Sequence, residues 1–240
     1  MPADPVPPTP TTAVVVGGPP SLAQACATEL EAVLGAGTTV VQVPVGPGDE
    51  DGTDLVARVL GLGSPEAPLG WVVVLAVHRA RPEPLPVAED DGSERASHAL
   101  SNLVERAAAA LAATGGGRVV AVVDAPDRRP GAVGAAARAA TAAALVGRAR
   151  STARSVADQQ VTVNVVQVGL IATAELEQAV AADSVLAGQV EALARSVPMR
   201  RLVTLDDVAA AVGHLVSEPA GYVNGIVLPI EGGAAFGAGT

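Results

Sequence analysis

Residues 161–175 read VTVNVVQVGLIATAE. The opening run, Val161 to Val168, is short and mostly β-branched, and a Gly-containing turn follows it, so it reads as a buried strand rather than a helix. Outward from it the same kind of run recurs at Thr12 to Val16, Thr38 to Val43, Trp71 to Val77, Arg118 to Val123 and Gly225 to Ile230. Ala-rich helical patterns separate these runs. Such alternation predicts an α/β fold: a doubly wound parallel sheet of about six strands with helices on both faces.

The first helix is expected to begin at Ser21, where SLAQ has the S-x-x-Q form of a capping box. It runs to about Leu34 and places Leu22, Ala25, Cys26, Leu30 and Val33 toward the sheet. A short helical segment fits near Leu55 to Leu60. A longer helix covers roughly Ala96 to Ala113, with Leu100, Leu103, Val104, Ala107 and Leu111 at helical spacing. AAARAATAAALVGRA, Ala135 to Ala149, opens another that extends to about Ala157. The last starts at the T-x-x-D cap Thr204 to Asp207 and buries Leu205, Val208, Val212 and Leu215. Between Ala174 and Val197 lies a weaker helical region of the kind that covers a cleft. The acidic loop at Glu89, Asp90 and Asp91 reads as a solvated connection.

The chain has 240 residues, 49% hydrophobic and 17% charged, enough for one sizeable core. A net charge of −10 with only 15 Lys and Arg argues against nucleic acid and anionic lipid as partners. Cys26 is the single cysteine, which excludes an internal disulfide. MPADPVPPTPTT has neither a basic nor an apolar segment of a secretory signal. Residues 1–11 are therefore read as a flexible Pro-rich tail and 12–240 as a single domain. No apolar run approaches the roughly 20 residues of a membrane span, and a cytoplasmic location is expected.

The order of elements and several motifs resemble the short-chain dehydrogenase/reductase family, a Rossmann-type fold, in its 3-oxoacyl reductase-like form. VTVNVVQVGLIATAE is similar to that family's strand ending in N-x-x-x-P-G and a Thr, with Val168 in place of the Pro. RLVTLDDVAAAVGHLVSEPAGYVNGIVLPIEGG, Arg201 to Gly233, is similar to its closing helix, last strand and terminal D-G-G turn.

The functional motifs depart from the family. Its cofactor loop, T-G-x-x-x-G-x-G, falls here on Val16, Gly17, Gly18, Pro19, Pro20, Ser21, Leu22 and Ala23, with one glycine where the family keeps three. Phosphate binding at such a turn needs backbone N–H donors and close backbone approach, and Pro19 and Pro20 carry no N–H. A tight strand-to-helix turn explains these residues fully. The interval from Val43 to Trp71 is too short for the family's further βα unit on the adenosine side. The N-N-A-G of the family falls near Leu75, Ala76, Val77 and His78.

Of the catalytic set that the resemblance implies, the Ser position holds Asp124, the Tyr position Arg138 and the Lys position Ala142. Asn102 alone matches. Asp124 and Arg138 are expected to form a charge-assisted pair in the vacated site, with Arg128 or Arg129 as the alternative partner of Asp124. His78, His98 and His214 are scattered and form no metal site, and His214 is expected to face solvent. No G-x-S-x-G elbow is present.

These departures predict no catalytic residues, no nucleotide cofactor and no metal. The expected role is a non-catalytic subunit beside a catalytically intact paralogue in a heterotetramer. The resemblance implies that contact runs through the two Ala-rich helices, Ala96 to Ala113 and Ala132 to Ala157, and through the last strand. The alternatives are an NAD(P)-dependent oxidoreductase with an atypical active site and a small-molecule sensor on the same scaffold.

Overall fold

The computed structural model describes residues 12–35, 37–45, 53–64, 67–77, 93–125 and 135–234, with the backbone alone for 53, 93–98 and 135–138. The expected tail, 1–11, and the acidic loop at Glu89 to Asp91 lie outside the described residues.

Six strands form one parallel sheet: β1 Thr12–Gly17, β2 Thr39–Val43, β3 Leu69–Ala76, β4 Gly117–Asp124, β5 Val161–Val168 and β6 Val227–Ile230. Their order is β2-β1-β3-β4-β5-β6, and every pairing is parallel. The chain leaves β1 toward β2 and then crosses to β3 on the other side of β1. That reversal opens a crevice outside the carboxyl ends of β1 and β3, where doubly wound sheets place ligands. The described residues between β2 and β3 hold one short helix, α2 Thr53–Leu60, and no further strand.

The other helices are α1 Pro20–Leu34, α3 Ser93–Thr114, α4 Ala135–Ser155, α5 Ala174–Ala182, α6 Ser184–Ser196 and α7 Leu205–Val216. The four inner strands, β1, β3, β4 and β5, are buried on both faces because they alternate between two apolar layers, whereas the edge strands β2 and β6 are mostly half-buried or exposed. One layer sets Val14, Val72, Ala121 and Val163 against α2, α3 and α4. The other sets Val15, Val73, Val122 and Val166 against α1 and α7. Leu100, Leu103, Val104, Ala107 and Leu111 of α3 are all buried, as their spacing predicts.

Helix α1 departs from expectation at both ends. It starts at Pro20, with Pro19 as an N-cap that makes no side-chain hydrogen bond. Proline at the first helical position is pre-set for the helix and gives up an N–H that would have no helical partner, so the start moves ahead of Ser21 and the S-x-x-Q box does not form. The buried stripe is Leu22, Ala23, Cys26, Ala27 and Leu30, whereas Val33 is 38% exposed and Ala25 half-buried. The stripe turns toward α7, where a Cβ at Gly213 would stand 2.6 Å from the Glu29 carboxylate; the two helices meet that closely.

The weak helical region is two helices broken at Asp183, whose carboxylate accepts from the N–H groups of Val185 and Leu186 and so starts α6. No residue of α6 is fully buried. In α7 the expected cap is a full capping box: Thr204 accepts from the Asp207 N–H at 3.1 Å, and Asp207 accepts from the Thr204 N–H at 2.8 Å. Trp71 donates through Nε1 to the Val216 carbonyl at the other end of α7.

Burial, with a smaller push from Glu29, raises the Cys26 thiol to about 12. Native protein should leave Cys26 unmodified by a disulfide reagent at neutral pH, with one equivalent released on unfolding. Gly18 has φ +75°, and a Cβ there would stand 2.7 Å from Leu75 Cβ. Gly18→Ala should destabilise the fold by about 2 kcal/mol or more in denaturant titrations. Gly147, in open space on α4, provides the contrast. Gly147→Ala should stabilise by about 0.5–1 kcal/mol.

Candidate functional site

The crevice is built where β1 turns into α1. Gly17 and Gly18 take φ +77° and +75°, and Gly17 lies opposite Leu75 of β3 in register. This turn carries the chain over the end of β3 with Leu75 directly beneath it. Pro19 is extended and accepts the first helical bond, from the Ala23 N–H at 3.0 Å. Neither Pro19 nor Pro20 offers an N–H to the crevice.

Ser21 is the first residue of α1 that does, and it is engaged. Its N–H donates to Glu175 Oε1 at 3.3 Å, and its hydroxyl donates to Glu175 Oε2 at 2.7 Å. Glu175 lies in the first turn of α5, beyond the end of β5. The segment that delivers it is held by a parallel bridge between Ile171 and Val203 and by the Ala172 N–H on the Val203 carbonyl at 2.8 Å. Thr173 caps α5 by accepting from the Leu176 N–H. The starts of two helices therefore converge on one carboxylate, and partial positive charge at both favours its ionised form. Burial pushes the Glu175 pKa up, but the Ser21 hydroxyl, the backbone N–H groups of Glu175 and Ser21, and the Thr173 hydroxyl together bring it below its usual value.

The remaining expected positions are dispersed. Asp124 ends β4, half-buried and opposite Val168. Ala142 is buried in α4. Arg138 belongs to α4 by its backbone, but its side chain, with Arg128 and Arg129, lies outside the described residues, and so does the expected pairing with Asp124. His78 and His98 likewise fall outside what is described of side chains, while Leu75, Ala76 and Val77 line the end of β3. His214 is exposed, as expected. Asn102 is occupied between helices: its Oδ1 accepts from Arg148 Nη2 at 2.9 Å, and Arg148 holds Glu105 through two bonds of 2.8 and 2.9 Å. The described residues contain no group of three or more potential metal ligands. None of the described helices is long and apolar enough to cross a membrane.

Sequence reasoning assigned no role to Glu175, Arg148 or Glu105. An acid two residues after a Thr cap reads as an ordinary complement to its own helix dipole. Nothing local ties it to a serine 154 residues away.

The fold and crevice define the chain as a doubly wound α/β protein of the dinucleotide-binding architecture. A family description, Enoyl-(Acyl carrier protein) reductase, matches residues 95–235, and the chain belongs to the short-chain dehydrogenase/reductase family. It is 39% identical over 99 residues to the 3-oxoacyl-[acyl-carrier-protein] reductase MabA of Mycobacterium avium, covering 41% of this chain and 36% of that one. It is 33% identical over 137 residues to nodulation protein G of Azospirillum brasilense, covering 57% of this chain and 53% of that one. The chain thus spans about half or less of these curated relatives. Among solved structures, the ligand-free aldohexose dehydrogenase of Thermoplasma acidophilum superposes with a TM-score of 0.75 at 16% identity over 97% of both chains. A gluconate 5-dehydrogenase from Burkholderia cenocepacia, in complex with NADP and tartrate, gives 0.73 at 18% identity over 94% of this chain and 96% of that one. At such identities the likeness shows the fold.

Because the folded Glu175 pKa lies below that of the unfolded chain, its bonds to Ser21 contribute fully above the ordinary glutamate range of about 4.3 and are lost as pH falls through the lower folded value. Urea midpoints of the native chain and Glu175→Gln should differ most at neutral pH and converge in acid.

Proposed function

We propose that this chain is a non-catalytic member of its family, holds no dinucleotide, and serves as a subunit beside a catalytically intact reductase. The observation that carries this reading is the Glu175 carboxylate seated on Ser21 at the start of α1. In dinucleotide-binding sheets that helix start receives the pyrophosphate. Here a like charge already stands there, and the preceding residues, Pro19 and Pro20, have no N–H to offer. The residues present do not fit the cofactor. At the catalytic positions, Ala142 has no ionisable group, and Asn102 is bonded to Arg148.

The subunit role is supported by the surfaces that remain. Ala140, Ala143, Ala144 and Gly147 form an exposed, small-residue face on α4, and β6 has one open edge. Small side chains allow a second pair of helices to approach closely. The likeness to 3-oxoacyl-[acyl-carrier-protein] reductases suggests a partner that reduces acyl thioesters, in a mixed tetramer in the cytoplasm.

The family match over residues 95–235 favours one second reading, an oxidoreductase with an atypical site. Calorimetry separates the two. Titration with NADH or NADPH should give no heat of binding up to millimolar nucleotide, whereas a micromolar Kd would overturn the non-catalytic reading. Co-expression with a family member that keeps the Ser, Tyr and Lys should yield one complex by light scattering, since obligate interfaces bury about 2,000 Å² or more. A chain that stays apart from the reductase and leaves its turnover unchanged would remove the subunit role.

A further inference from the structure

A second concavity lies outside the crevice, at the end of β6. After Ile230 the chain turns through Glu231, Gly232 and Gly233, with φ +59° and +88° at the two glycines. This turn presses on the segment before α7. A Cβ at Gly232 would stand 2.8 Å from Val197 Cγ1, and the Met199 N–H donates to the Gly232 carbonyl at 3.2 Å. Between them runs a groove of about 330 Å³, lined by Met199, Arg201, Asp207, Pro229 and Glu231 among others.

The charges in this groove do not cancel. Asp207 is committed: Arg201 Nη2 donates to its Oδ1 at 3.0 Å, and the Thr204 N–H donates to its Oδ2. Arg201 is thereby committed too. Glu231 is only 7% exposed, yet its carboxylate makes no hydrogen bond or ion pair with any described residue. Little of this residue reaches solvent, and the groove it lines is the route by which a donor can reach its carboxylate, which accepts hydrogen bonds and donates none.

We infer that this groove binds a small organic cation, an alkylammonium or alkylguanidinium, with its N–H donors on Glu231 and its methylene stem along Met199. The complement of one unpaired carboxylate is a single positive charge that carries hydrogen-bond donors. A metal ion is a poorer fit, because hard cations need several oxygen ligands and no acidic group of that size exists among the described residues. The volume stands at the lower end of ligand pockets, roughly 300–1,000 Å³, which suits a short amine and not a dinucleotide. Met199 is 62% exposed and supplies an apolar wall.

The test uses the full chain with butylammonium and agmatine as probes, followed by NMR titration and thermal unfolding. Both probes should bind the native chain at millimolar concentration or better and raise its midpoint. Glu231→Gln should weaken them by about tenfold or more, while Glu191→Gln, on the exposed face of α6, should leave them unchanged. Without probe, Glu231→Gln should be at least as stable as the native chain, since it removes an unpartnered charge. Equal binding by native chain and Glu231→Gln, or no binding to the native chain, would overturn the inference. Should Glu231→Gln fail to fold, its charge is structural and the inference is likewise lost. On the native chain, butanol binding as well as butylammonium would also overturn it, because the site would then read shape and not charge.

Discussion

The structure depends on how the chain leaves β1. All six residues of that strand are buried, and its last residue, Gly17, lies against β3 at Leu75, so the exit has one way to go. Gly18 passes over the Leu75 side chain with no room for a Cβ, and the positive φ of both glycines turns the chain back onto the sheet. Pro19 and Pro20 then set the entry of α1. The direction of that helix decides which residue of its first turn faces the crevice, and that residue is Ser21.

The start of α1 has the same electrostatic need in any doubly wound sheet: unpaired N–H groups and the positive end of a helix call for an anion. A bound phosphate is one solution. A carboxylate from the chain itself is another, and here Glu175 provides it from the helix that follows β5. The arrangement links two parts of the fold. It ties α5 to the opposite end of the sequence and satisfies two helix starts with one charge.

The Ala-rich helices behave similarly. Their small residues let α4 lie close on the sheet through Ala142, Leu145, Ala149 and Ala153 while leaving a smooth outer face. The tie between α3 and α4 is polar: Arg148 bridges Asn102 and Glu105. Side chains as exposed as these contribute modestly to stability, and their effect is mainly to hold the two helices in register. An asparagine that the resemblance associates with catalysis is in this chain a helix-to-helix connector. Asn164 and Asn224 make further polar ties between β5 and the loop leading to β6: Asn164 bonds to Val223 and Ile226, and Asn224 to Val163 and to Ala153 of α4.

By itself the sequence determined the six parallel strands, the order of the elements, the buried face of α3 and the capping box of α7. All of these follow from the period of apolar residues and from hydrogen bonds between groups within about four residues of each other. The loss of N–H donors at Pro19 and Pro20 was legible for the same reason, since it is a property of the residues themselves. The tertiary structure alone decided the rest. The start of α1 moved one residue because Pro20 suits the first helical position better than Ser21 suits the cap. Its buried face was set by the approach to α7 at Gly213. The partners of Ser21, Asn102 and Asp207, and the isolation of Glu231, were decided by which helix ends and turns the packed sheet brings together. A side-chain hydrogen bond across 154 residues leaves no periodic trace in the chain, because it depends on where two elements finish in space and not on what surrounds each of them in sequence.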